Sequence, residues 1–196
     1  MRSLLAIVFT FGVLATVPAR GLGQANLNQT AELTEEYEVY NAVIGNMFAD
    51  NKITFDFGGK VPVKLLVIEE RTVSDPSFRE EPWTPKSDLV TPYNDMRGQY
   101  QVKNQHPVAL KRWFTLTVDY EVVNSPESKR TAYEREGSEV HGIVSFSRVG
   151  FNKARTEALV YMSYVCGGLC GHGFTFWMEK SGDTWKVKEI IRMWIS

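Results

Sequence analysis

The chain has little of what catalytic and metal centres are most often built from: of its 196 residues only two are cysteine and three histidine. It contains no Gly-x-Ser-x-Gly elbow, phosphate-binding loop, His-Glu-x-x-His pair or dinucleotide-binding glycine pattern, so the chemistries those arrangements serve leave no local signature. Net charge is equally scarce. The 22 Lys and Arg residues nearly offset 23 Asp and Glu, which leaves no electrostatic footprint for nucleic acid or an anionic membrane surface. There is no internal repeat and no low-complexity segment. Beyond the N-terminus no apolar run is long enough to cross a bilayer.

What is present begins with an export signature. Arg2 precedes Leu4 to Val17, an uncharged apolar run too short to span a bilayer comfortably, which reads as the core of a signal peptide. A small-x-small site follows at Gly23-Gln24-Ala25, with Gly21-Leu22-Gly23 competing, so residues 1–25 are assigned to the signal peptide and cleavage is expected after Gly23 or Ala25. An uncleaved anchor and a buried core helix are the competing readings. No cysteine lies near the cleavage site to accept a lipid. The mature chain, 26–196, is expected to be a single domain without a membrane span, periplasmic or extracellular; the 43% apolar content of the full sequence suffices for a core.

In that domain Leu33, Tyr37, Tyr40, Ile44 and Met47 recur at helical spacing, which predicts an amphipathic helix over Thr34 to Phe48, with Glu35 and Glu36 in its first turns. Val63 to Thr72 reads as a strand after a Gly58-Gly59 turn. Residues 73–108 carry Pro76, Pro82, Pro85, Pro92, Gly98 and Pro107 and read mainly as an irregular connection, with a short helix starting at Thr91-Pro92. Alternation from Leu110 to Val122 predicts a strand with one wet face. Ser125 to Gly137 reads as a polar helix with Tyr133 as its apolar contact and Glu134 and Glu136 on a solvated face. Gly142 to Arg148, Ala158 to Val165, Phe174 to Lys180 and Trp185 to Trp194 form a β-meander, the last two joined at Ser181-Gly182-Asp183. The expected fold is α+β: an N-terminal amphipathic helix packed on a curved, mostly antiparallel sheet that ends in this meander.

The candidate site is the turn Cys166-Gly167-Gly168-Leu169-Cys170-Gly171-His172-Gly173, together with Arg148. So much glycine demands positive φ or a close approach to another group. In an exported chain the default for the two cysteines is a disulfide, mechanical in purpose. A redox pair would want Cys-x-x-Cys at a helix start, and here the flanks are strands. A metal would need Cys166, Cys170 and His172 with His141 or His106, none at a recognisable ligand spacing, so no metal and no cofactor is assigned. His172, two positions from Cys170, shares its face and is a weak candidate general base. Arg148 is read as half of a structural ion pair, with Glu179 or Glu189 as its carboxylate, rather than as a substrate clamp.

Ser147 to Asn152, Ala158 to Tyr161, Cys166 to Gly173, Trp185 to Val187 and Trp194 to Ser196 together make a pattern S-R-V-G-F-N, A-L-V-Y, C-G-G-L-C-G-x-G, W-K-V and W-I-S. It resembles a family of uncharacterised secreted or periplasmic bacterial proteins. The resemblance implies export and a single domain, and no activity. In outline the helix and curved sheet are also similar to the cone-shaped fold of nuclear transport factor and ketosteroid isomerase relatives, an analogy of architecture alone. The function expected is that of a non-catalytic exported scaffold or binding module for an unknown envelope protein or small ligand. The alternative is an envelope enzyme or metal-binding protein using the Cys166–His172 turn and Arg148.

Overall fold

A computed structural model describes residues 20–49, 52–54, 60–74, 90–124, 140–167 and 170–196. The chain divides into two compact units, Met1–Leu33 and Thr34–Ser196. The first is helical from Arg20 onward. Outside the described residues lie the apolar run to Val17, the turn at Gly58-Gly59, the prolines at 76, 82 and 85, the polar helix around Tyr133, and Gly168 and Leu169 of the two-cysteine turn.

The fold is mixed α+β, with two helices among the described residues. Helix α1 runs Arg20–Met47, starting well before Thr34: residues 24–33 contain no proline or glycine, and seven of the ten are Gln, Ala, Leu or Glu, all good helix formers. Glu35 and Glu36 are therefore mid-helix rather than in the first turn. Helix α2, Val90–Lys103, is longer than the short helix expected at Thr91-Pro92 and carries Gly98 in its interior. Pro92 falls near its start, where the missing N–H costs nothing.

Strands β1 (Lys52–Thr54) and β2 (Lys60–Pro62) form a separate antiparallel pair. The main sheet has seven strands and is mostly antiparallel: β3 (Leu65–Glu69), β4 (Asp119–Val123), β5 (Val140–Phe146), β6 (Gly150–Phe151), β7 (Glu157–Gly167), β8 (Cys170–Ser181) and β9 (Thr184–Ile195), in the order β4-β3-β5-β7-β8-β9 with β6 on β7. β3 lies parallel to both its neighbours. From β5 onward the pairing is the expected meander. Its last turn places Gly182 at φ 62°, the left-handed value a two-residue hairpin asks of its first central residue.

Leu110 to Val122 corrects one expectation. The alternation holds, with Leu110, Phe114 and Val118 buried and Lys111, Thr115 and Thr117 exposed, but only Asp119–Val123 enters the sheet. Leu110 N–H bonds Glu70 C=O, and side chains of α1 satisfy part of the backbone that follows. The Tyr37 hydroxyl accepts from Lys111 N–H and donates to Lys111 C=O (2.9 Å), and Asn41 Oδ1 accepts from Thr115 N–H at 3.0 Å. A period of two thus marks a half-buried extended segment, not the ladder itself.

The two faces of β7 and β8 feed different buried clusters. Ala158, Val160, Met162, Tyr164, Phe176 and Met178 join Tyr37, Tyr40, Val43, Ile44 and Phe48 of α1 in the larger one. Leu159, Tyr161 and Trp177 join Tyr93, Met96 and Tyr100 of α2 in the smaller. β7 is thus apolar on both faces, as a central strand should be. Gly98 of α2 has open space where a Cβ would stand, so Gly98→Ala should raise stability by about 0.5–1 kcal/mol, read as a thermal midpoint a few degrees higher.

Candidate functional site

The two-cysteine hairpin joins β7 to β8. Cys166 and Cys170 lie at disulfide distance with Cα atoms 5.1 Å apart, and Gly167 is the register partner of Cys170. Gly168 lies outside the described residues. Cys170 and His172 share a face of β8, as the even spacing requires, but His172 stacks on Phe174 (centroids 5.9 Å, planes 7° apart) and sits across from Tyr164 and Ile195.

Of the two reasons for glycine, close approach applies at Gly171 and Gly173; neither has positive φ. A Cβ on Gly171 would stand 2.8 Å from Ser196 Oγ and 2.9 Å from the Trp194 ring, and one on Gly173 would enter the Trp194 indole. The indole crosses β8 over these glycines, and its Nε1 donates to the Tyr161 hydroxyl on β7 at 2.8 Å. Ser196 N–H closes the arrangement on Gly171 C=O at 2.9 Å. The glycines are therefore the seat of the C-terminal strand's tryptophan, an aromatic ring covering a side-chain-free stretch of the neighbouring strand.

Arg148 lies elsewhere. Ser147 N–H bonds Tyr161 C=O at 3.0 Å, and Cys166 is five residues further along β7, roughly 16 Å at a strand's ~3.3 Å rise. The hairpin and Arg148 do not form one rim. The partner of Arg148 is Glu36 rather than Glu179 or Glu189: Nε and Nη2 each donate to one Glu36 oxygen at 2.7 Å. Glu36 is fully buried. It also accepts from Lys103 Nζ (3.2 Å) and lies 3.1 Å from the Tyr40 hydroxyl. The network continues through Lys103 to Val149 C=O (2.8 Å), and Asn104 accepts from Arg148 N–H (2.7 Å) while donating to Arg148 C=O (3.0 Å). Beside it Glu35 holds Arg155 and Lys180, with Lys103 and Arg155 both over the Phe151 ring.

Sequence reasoning missed Glu36, Tyr40, Lys103 and Asn104 as a unit. One signal was available: Glu36 falls on the same apolar stripe as Leu33 and Tyr40, and a carboxylate there has to be paired.

Burial holds Tyr40 well above its ordinary pKa of 10.0, with the Glu36 charge adding to the shift, and burial likewise raises Tyr37. The sign follows directly. Both phenols keep their protons in the fold at pH values where the unfolded chain loses them, so the stability they contribute is complete below pH ~10 and is lost as pH climbs through their raised values. Urea midpoints between pH 8 and 11 should show this fall, and Tyr40→Phe should flatten it while lowering stability at neutral pH by about 1 kcal/mol through the hydrogen bond lost to Ser147 C=O, 2.9 Å away.

One concavity completes the picture, a groove of ≈ 220 Å³ between the C-terminal end of α1 and the segment 115–118, lined by Asn41, Ile44, Gly45, Phe48, Ala49, Thr115, Leu116, Thr117 and Val118. Among the described residues no three His, Cys, Asp or Glu side chains gather as a metal-binding set. No family model, curated protein or solved structure matches this chain.

Proposed function

We propose that the chain is an exported, non-catalytic module in which α1 lies against a curved sheet, a disulfide locks the β7–β8 hairpin, and the domain binds a small ligand or another envelope component. The observation that carries this reading is the use made of each candidate catalytic group. Both sulfurs are at disulfide distance, the turn glycines seat Trp194, and Arg148 is committed to a buried carboxylate. None of these is poised as a nucleophile or anion clamp, and the candidate base His172 is buried and stacked on Phe174. An oxidised cysteine pair accords with an exporting chain, as does the apolar run after Arg2, and no described helix is long and apolar enough to cross a membrane.

Expression in a bacterial host, followed by fractionation and N-terminal sequencing, tests export: a mature chain starting at Gln24 or Asn26 outside the cytosol is expected, and a full-length cytosolic chain would overturn it. The mechanical role has its own test. Because the closed loop is short, Cys166→Ser/Cys170→Ser should lose at most ~3 kcal/mol and remain folded; a globally unfolded double variant contradicts a bond that only locks a turn.

A further inference from the structure

We infer that the groove beside α1 is a binding site for a small, uncharged, amphipathic molecule: an apolar ring or short chain bearing one hydroxyl or amide end. The inference gives a place and a ligand class to the binding role proposed above, and it rests on that reading.

Three features carry it. Among the described residues none of the nine that line the groove is charged, so an ionic ligand would give up water for no counter-charge from them. Ile44, Phe48, Leu116 and Val118 supply the apolar wall, while Asn41 and Thr115 supply polar groups, the mixture that fixes orientation in small-molecule sites. The Asn41 side-chain oxygen is taken by Thr115 N–H at 3.0 Å, which holds the amide still and makes its NH₂ the donor it offers. At ≈ 220 Å³ the groove falls below the ~300–1,000 Å³ of drug-sized sites, which limits the occupant to a fragment-sized molecule.

Gly45 is one of the lining residues. This glycine sits inside α1, where glycine costs helix stability, and nothing stands within 4 Å of the position its Cβ would take. A side chain there would stand in open space at the groove's lining.

The test uses the full chain, isotope-labelled, titrated with 2-phenylethanol as the neutral probe and with phenylacetate and 2-phenylethylammonium as charged analogues of the same shape. Saturable amide shifts at Gly45, Ala49, Thr115 and Thr117 are expected with the alcohol, at least tenfold tighter than with either ion. Gly45→Leu should abolish them while leaving the thermal midpoint equal or higher, Gly45→Ala should weaken them partially, and Gly98→Ala, the same kind of change in α2 away from the groove, should leave them intact. No saturable shift with the alcohol, equal or tighter binding of an ion, or unimpaired binding by a folded Gly45→Leu would each overturn the inference. Should Gly45→Leu fail to fold, the alanine variant and the three-probe ranking decide it. Failure here with export and the disulfide intact removes this site and leaves the module reading standing.

Discussion

Arg148→Ala is expected to cost about 3–5 kcal/mol, lowering the thermal midpoint by roughly 10 °C, because it leaves the Glu36 carboxylate buried without its bidentate partner. Arg148 supplies the two shortest bonds Glu36 accepts, and Lys103 at 3.2 Å is a point charge that cannot replace a planar fork. Arg148→Lys should therefore recover only part of the loss. A second substitution separates burial of charge from loss of contact. Glu36→Leu combined with Arg148→Ala removes the stranded carboxylate, and Lys103, whose long stem can carry its ammonium to water, is the cation left behind. The double variant should be more stable than Arg148→Ala alone; equal or lower stability would show that the pair's value lies in its geometry and not in avoiding an unpaired charge. Chemical denaturation of the four proteins makes the comparison.

Gly150→Ala should be comparably damaging, about 3 kcal/mol, for a different reason. Gly150 opens β6 under α2, and a Cβ there would stand 2.7 Å from Tyr100 N and closer still to Met96 C=O. These are helix backbone atoms, so relief requires moving α2 off the sheet face whose cluster contains Met96 and Tyr100. Gly173→Ala offers the contrast. There the obstacle is the Trp194 side chain, which can swing out at the cost of its bond to Tyr161, so a smaller loss of about 1–2 kcal/mol is expected, with a shift in tryptophan fluorescence. A Gly150→Ala protein as stable as the parent would contradict the close approach of helix and strand.

These cases show what could be learned from the residues alone. The meander was legible because each of its runs carries its own alternation and its own turn, and β7 read correctly as central because it is apolar on both faces, with Ser163 the one polar residue between Ala158 and Val165. The α+β class followed. The extent of α2 was not legible: Pro92 and Gly98 suggest irregular chain, and its burying side chains, Tyr93, Met96 and Tyr100, count only once a sheet face is there to receive them. Likewise the strand pattern from Leu110 to Val118 records burial against α1 and says nothing of which backbone groups pair. Within the site, the cysteine pair was legible from spacing and context, whereas the meaning of Gly171 and Gly173 was not. The residue that requires them, Trp194, lies on a different strand, and register alone brings the three together. The Arg148 partner is illegible for the same reason: the pattern of strands points to carboxylates such as Glu179 and Glu189, and the one used, Glu36, comes from a helix more than a hundred residues earlier.

The claim on which the function rests is that the β7–β8 hairpin is closed by sulfur and serves to hold structure. Intact-mass analysis of the purified chain, denatured and treated with iodoacetamide without reductant, addresses it directly. No alkyl group on Cys166 or Cys170, with both becoming alkylated only after reduction, is the expected result. Two alkylated thiols before any reductant is added would contradict the account and return the hairpin to the list of reactive sites.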